Sequence, residues 1–483
     1  MKSYLIPRLR DILFLAVFIA AIALGPRMLN IDGDLPRHLL MGEIVLKTLS
    51  IHTTDVFSYV NQGLPIAPHE WLAGVIFAVF YILLGLNGVV IFAALLLATT
   101  FTLVYEQTLR HVGERLPVLF LVIWGAVISS LHWITRPHLF SMLFLALFLI
   151  WADSISHKEI KSIWMFPTLM LFWGNIHGEF IAGFLVLIAY GTGWVWDFFF
   201  NPEQRDMKVG KRLGLAFILS LFATFINPVG VRTWEVVLGY VNNQYLMSRI
   251  NETNPPNFSQ PQFLSLLGLL AFSIFLLATQ KGRLSTSQAF ALAGFSAMSL
   301  LSARNVHLYG VAAPFLLSNI FTENSKASIL GSVEKLFSTA EKELHGFIWP
   351  IMTVVVIGAL VISGVAGVDN RFEPTRFPVG AVDWLETHPQ TGEMFNAFDW
   401  GGYILLRLWP RYTTFIDSQT DVTGNLTKEY ETIITMSDGW QNILTRYDVH
   451  WTIIPPEWPL GEALKAAGWK SIYQDDTAAI YRK

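Results

Sequence analysis

The sequence predicts a polytopic α-helical membrane protein that carries a soluble α/β domain at its carboxyl end. Three observations lead there. Over 483 residues the chain is 53% hydrophobic and only 14% charged, against roughly 25% charged in an ordinary soluble domain. Apolar runs recur from residue 12 to residue 366, and the mean hydropathy is +0.47. From residue 370 the charges return, with 10 Lys and Arg against 15 Asp and Glu. The net charge of −3 comes with no strongly basic tract, so no nucleic acid or other polyanion is expected as a partner. Cysteine is absent, which removes disulfides and thiol chemistry and leaves the compartment open.

The elements follow in chain order. Lys2, Arg8 and Arg10 precede the apolar run 12–24. The run ends in Gly25-Pro26-Arg27 without a small-residue cleavage site, so it reads as a retained signal-anchor. A polar loop follows, and then the apolar run 71–85, which at 15 residues is short of the about 20 needed to cross. It is expected to lie along the interface as an outer juxtamembrane helix. Spans are expected at 86–105, 118–133, 139–152, 163–173, 180–196, 213–226, 263–279, 287–301, 306–321 and 347–366, which with the first makes about eleven. The domains are then a transmembrane domain 1–367, with its outer loop at 30–85, and a soluble domain 368–483.

With the run 71–85 not crossing, the loops on the side of the amino terminus hold Arg110, Arg115, Lys158, Lys161, Arg205, Lys208, Lys211, Arg212, Lys281, Arg283, Lys326, Lys335 and Lys342. The positive-inside rule makes that face cytoplasmic. The chain is therefore expected in a plasma (inner) membrane, with the carboxyl-terminal domain outside.

The outer face gathers short polar turns at span ends: Arg136-Pro137-His138, the stretch from Asn175 to Glu179 with His177, the stretch from Asn227 to Arg232, and Ala303 to His307 with Arg304 and Asn305. Any one of them reads as a turn or a snorkelling anchor. Four on one face, opposite the Lys-rich side, suit a phosphate held at the membrane surface by Arg and His donors. The loop 227–262 is rich in Pro and Asn and is expected to be irregular, in the manner of a lid.

In the soluble domain, periodicity predicts helices at 379–386, 401–409, 428–436, 440–447 and 460–467. Strands are expected at 393–397, 413–417 and 449–454, and a closing hairpin at 470–481 turns through Asp475-Asp476. Alternating strands and helices predict a small, largely parallel sheet. Gly401-Gly402 reads as a tight turn more readily than as a phosphate cradle.

The polar loop 31–72 crowds Asp32, Asp34, His38, Glu43, His52, Asp55, His69 and Glu70 beside a membrane span. A solvated loop is the bland account; groups facing water, metal or a charged ligand are the functional one. Asp32 and Asp34 flank Gly33, a spacing that suits a shared divalent cation or a division of base and orienting roles. It equally suits a helix N-terminus, since 35–49 reads as helical with Pro36 early in it.

The order of motifs resembles the GT-C glycosyltransferases. A span is followed by D-x-D-L-x-x-H, then T-D-x-F-S-Y and H-E-W-L with a short apolar run. R-P-H-x-F at 136–140, N-x-H-G at 175–178, N-P-x-G-x-R at 227–232 and R-N at 304–305 come after. The nearest similarity is to a bacterial branch related to protein O-mannosyltransferases, aminoarabinose transferases and oligosaccharyltransferases.

The resemblance implies an inverting transfer of a sugar from a polyprenyl-phosphate donor to an acceptor outside the membrane: a lipid, a glycan or a protein. Asp34 or Asp32 would act as general base, and a divalent cation (Mg or Mn) would be held by the same pair if one is used. Arg304, Arg136 and Arg232, with His138 and His307, would take the donor phosphate, converging near the two aspartates. His38, Asp55, His69, Glu70, Asn175, His177 and Asn305 would contact substrate. Arg37 and Glu179 depart from the pattern. The competing classes are a lipid or solute transporter (flippase), and a non-catalytic assembly subunit. Few charges inside the spans speak against transport.

Overall fold

The computed structural model describes residues 2–201, 203, 205–243, 245, 248–249, 251–279, 284–321, 337, 339–341, 344, 346, 348–365, 370–419 and 426–483. The basic residues Lys281, Arg283, Lys326, Lys335 and Lys342, and the expected domain boundary at 367/368, lie outside them. The chain divides into two compact units. One comprises Met1–Leu24, Val90–Asn227 and Val237–Val368, the other Gly25–Val89, Pro228–Val236 and Asp369–Lys483. The polar loop after the first span thus folds with the carboxyl-terminal residues, a grouping that a boundary drawn at 368 does not anticipate.

The first unit is helical. Each of its expected apolar runs is a helix over most of its length, from Leu9–Ala23 to Ile348–Ile362. Among the described residues, five helical stretches are long and apolar enough to cross a membrane: Trp71–Val112, Arg115–His132, His138–Ser156, Gly178–Phe200 and Pro261–Thr279. Small residues set the packing, because apolar side chains gain nothing from leaving lipid for a neighbouring helix. A Cβ on Gly125 would stand 2.1 Å from the carbonyl oxygen of Gly310, and one on Gly310 would stand 2.5 Å from that of Gly125. Helices Arg115–Ser129 and Val306–Leu316 therefore touch backbone to backbone. Trp173 anchors the opposite side, edge-on to Phe144 and Phe148 with centroids 5.7 and 5.5 Å away. Ser285 and Gln288 form a capping box at the start of Thr286–Leu301. The loop 227–262 is not irregular throughout, since helix Arg232–Asn242 forms within it.

The helical stretch Trp71–Val112 is two helices, not one rod of 42 residues: Gly85 has φ 61° and ψ −155°, a conformation outside any helix and open chiefly to glycine. In the second unit the helix before that break packs on helix Asp34–Thr48 through Gly42 and Gly74. A Cβ on Gly42 would lie 2.0 Å from the Gly74 carbonyl oxygen.

The carboxyl-terminal residues build a four-stranded sheet from β1 (Glu393–Asn396), β2 (Val449–Ile454), β3 (Lys470–Gln474) and β4 (Ala479–Arg482), in the order β1-β2-β4-β3. Alternation sends Met394, Trp451, Ile453 and Ile480 to one face, under helices Val379–Thr387 and Gly401–Leu408. Phe395, Ile454 and Tyr481 go to the other, under Leu426–Ile434, Trp440–Arg446 and Pro459–Ala466, and Val449 joins them across an irregularity in the β1–β2 register. The sheet is mixed: β1 and β2 run parallel, while β4 is antiparallel to both β2 and β3. The expected parallel majority fails because residues 413–417 do not join the sheet.

That segment instead receives the polar loop. Thr414 forms an isolated parallel bridge with Ser58. Its amide donates to the Phe57 carbonyl (2.9 Å), and its carbonyl accepts from the Tyr59 amide (3.2 Å). Ser58 Oγ donates to the Phe415 carbonyl (3.1 Å), and Tyr59 OH to that of Met394 (3.1 Å).

Candidate functional site

Asp32 and Asp34 sit in the second unit, both half-buried. Asp34 opens helix Asp34–Thr48, and Asp32 Oδ1 accepts its amide at 3.0 Å. That bond is a local turn before the helix; the N-cap position itself is Gly33 and carries no side-chain cap bond, so the expected aspartate N-cap does not form in that way. Gly33 between them is required by packing: a Cβ there would stand 2.0 Å from the Asp399 carbonyl oxygen. A Cβ on Gly402 would stand 2.7 Å from the Gly33 carbonyl oxygen, and one on Gly401 2.5 Å from that of Ile416. Gly401-Gly402 is therefore not the expected tight turn: both residues lie in helix Gly401–Leu408 and let it press on the aspartate loop.

Arg37, one turn into the same helix, is buried and places Nε 3.3 Å from Oδ1 of the buried Asp417, which also accepts the Gln419 amide at 2.7 Å. Asp55 is 2% exposed, and its Oδ1 accepts the amides of Phe57 (2.9 Å) and Ser58 (3.1 Å). It closes its own turn. Burial, and next the charge of Asp417, push its carboxyl above the usual range. His38 Nε2 lies 3.6 Å from Glu70 Oε2, and His69 Nε2 lies 3.9 Å from Glu70 Oε1. Arg232 donates to the Pro65 carbonyl within the same unit.

The first unit holds a separate cluster at the ends of its helices. His307, 1% exposed, places Nε2 3.2 Å from Glu179 Oε2, and His177 Nδ1 lies 3.4 Å from the same oxygen. The His307 ring is 5.2 Å from those of both His132 and His138, and His138 Nε2 meets the His132 carbonyl at 2.5 Å. His177 Nδ1 is 3.0 Å from Ser141 Oγ. Arg136 lies in the turn between His132 and His138, and Arg304 in the turn Ala303–Asn305 that leads into the helix of His307, so both residues adjoin the cluster. Asn175 is a helix-end clamp, its amide donating to the carbonyls of Leu171 and Ile226 at 2.8 and 2.9 Å. Asn305 donates to the Met298 carbonyl at 3.3 Å.

Three residues were not singled out as site residues from sequence. Glu179 bridges two histidines and answers part of the cationic charge; His132 completes the ring cluster; Asp417 pairs with Arg37. His132 stands six residues before His138 in the turn that carries Arg136, a signal that was available. Asp417 lay inside an expected strand and gave none. Among the described residues, no three His, Asp or Glu side chains are grouped to hold a metal ion.

The fold so assembled is similar to those of solved structures that share little sequence with this chain. The chain is similar to the oligosaccharyltransferase AglB from Archaeoglobus fulgidus, solved with an inhibitory peptide and a dolichol-phosphate. There the TM-score is 0.59 at 10% identity, over 92% of this chain and 69% of that one. The apo form of the Archaeoglobus fulgidus oligosaccharyltransferase gives 0.51 at 10% identity, over 91% and 69%. ArnT from Cupriavidus metallidurans in the apo state gives 0.51 at 13% identity, over 97% of both chains. No protein-family model and no curated protein matches the chain.

Proposed function

We propose that this protein is a membrane glycosyltransferase that takes a sugar from a polyprenyl-phosphate donor and passes it, with inversion, to an acceptor outside the membrane. The supporting observation is the cluster of four histidines at helix ends of a GT-C-like fold, with Arg136 and Arg304 on the turns that carry it. It offers charge-assisted donors where a phosphate leaving group gathers charge. The AglB structure that this fold resembles holds a dolichol-phosphate, and we assign Arg136, Arg304, His138 and His307 to the donor phosphate.

In the transfer, an acceptor hydroxyl oxygen bonds to the anomeric carbon while the bond from that carbon to the phosphate oxygen breaks. The electron pair leaves with the phosphate, and the hydroxyl proton passes to a carboxylate. Attack opposite the leaving group inverts the anomeric centre. We assign the base to Asp34, whose amide holds Asp32 in place beside it. The pair is also where a divalent cation (Mg or Mn) would be held, and its charge would offset that of the two carboxylates.

Asp34→Asn and Asp32→Asn, assayed with defined polyprenyl-phosphate sugars, should fold normally, and loss of the base should lower turnover by about 10²–10⁴-fold. Full turnover in both variants would remove the base assignment, and a product with retained anomeric configuration would remove the single displacement.

A further inference from the structure

The second unit contains a crevice of about 370 Å³, within the roughly 300–1,000 Å³ of small-molecule sites. It opens where β1 and β2, the one parallel pair, both end: residues 397–400 follow β1 and residues 455–458 follow β2, and both stretches line it. Outside the carboxyl ends of parallel strands is where open α/β sheets take their ligands, because loops from adjacent strands part there. Asp32 forms part of the wall.

The lining has two characters. Phe398, Trp400, Tyr430 and Trp458 supply aromatic surface. The polar ends of two of them are tied to the wall itself: Tyr430 OH accepts the Phe398 amide at 2.9 Å, and Trp400 Nε1 donates to the Arg376 carbonyl at 2.9 Å. What these two contribute is ring face. The charged residues are Asp32, Asp399, Glu457 and Asp476 against Arg376, the one cationic side chain among the described lining residues. Arg376 is already engaged, its Nε and NH2 groups donating to the carbonyls of Asn30 (3.4 Å) and Ile31 (3.2 Å). A wall of net negative charge repels a phosphate, so the donor is excluded. Carboxylates among aromatic faces favour a cation with carbon around it.

We propose that this crevice is the acceptor site and that the acceptor carries a protonated amine beside the hydroxyl that is glycosylated. The identity as acceptor rests on the glycosyltransferase reading; the amine selectivity rests on the crevice alone. Asp32 marks the end of the crevice nearest the chemistry, and Asp399, Glu457 and Asp476 hold the amine.

The test is direct binding to the purified full-length protein in lipid nanodiscs, with a glucosamine tetrasaccharide below neutral pH and its fully N-acetylated counterpart as probes. The two share hydroxyls and differ in charge. The free amine form should bind at least about tenfold more tightly, and the pair Glu457→Gln with Asp476→Asn should erase that preference. Both side chains are exposed, so the fold should survive. Asp438→Asn, an exposed carboxylate outside the crevice, should leave it intact. Equal binding of the two probes, or a preference that survives the double substitution, would overturn the proposal. Because no sugar transfer is read, a protein that prefers the amine yet moves no sugar from any polyprenyl phosphate refutes the proposed function and leaves the amine site standing.

Discussion

At the scale of single residues, burial separates structural carboxylates from chemical ones. Asp55 was a candidate substrate contact, yet it is buried and closes its own turn. Its folded pKa is raised by desolvation first and by Asp417 next. A raised carboxyl stabilises fully only below its unfolded pKa, roughly 3.9, and that contribution is lost as pH rises through the folded value. Asn keeps the acceptor oxygen and carries no charge. Asp55→Asn should therefore unfold at a higher temperature than the parent at neutral pH, while Asp55→Ala, which orphans two amides, should lose about 1–3 kcal/mol. Thermal unfolding checks both. His157 is the opposite case. Its Nδ1 lies 3.2 Å from Asp153 Oδ2, and the hydrogen bond to that carboxylate lifts its pKa to about 9. A raised histidine stabilises below its unfolded pKa, roughly 6.5, and loses that contribution as pH climbs through about 9. The side chain is 43% exposed, so screening keeps the effect to roughly 0.2–1 kcal/mol. The parent should lose thermal stability between those pH values relative to His157→Gln.

At the scale of elements, the aspartate loop is held by backbone contact, and the residues that permit it are glycines. Gly33→Ala would drive a methyl group to 2.0 Å from the Asp399 carbonyl oxygen, an overlap that backbone must relieve at about 1–3 kcal/mol. Transfer should fall with it, because Asp32 and Asp34 move when Gly33 moves. Gly214→Ala, in a helix with open space at that position, should lose neither stability nor transfer, and a Gly33→Ala protein as active as the parent would show that the contact positions nothing. These contacts also mark the limit of what the chain could disclose. Apolar runs were legible because 3.6-residue periodicity and length are local properties. Strand β2 was legible because β-branched and aromatic residues cluster in it. Residues 413–417 carry the same local signal but pair with residues 57–59, more than 350 positions away, and no local pattern distinguishes that partner from a sheet. The parallel majority was lost with that strand. Arg136, His138, His177 and His307 were singled out by motif order, whereas the Glu179 bridge needed two histidines 130 residues apart to be seen on one oxygen.

At the scale of the whole molecule, orientation in the membrane turns on one residue. Gly85 breaks the helical stretch Trp71–Val112, and a helix of about 14 residues before it, at 1.5 Å per residue, spans roughly 21 Å against a hydrocarbon core of about 30 Å. On that length it is expected not to cross by itself, and every later loop would then keep the parity that the basic residues require. Were it to cross, Arg110, Arg115, Lys158 and Lys161 would all face outside, against the bias that orients polytopic chains. The chain has no cysteine, so single-cysteine variants report without background. Arg110→Cys and Asp438→Cys both place a thiol at an exposed position, one in the last turn of the long helical stretch and one in the carboxyl-terminal α/β domain. In intact cells a membrane-impermeant maleimide should label position 438 and spare position 110 until the membrane is permeabilised. Labelling at 110 from outside would mean that the helix before Gly85 crosses, and labelling at neither would place the carboxyl-terminal domain, with the two aspartates that fold in its unit, on the cytoplasmic side.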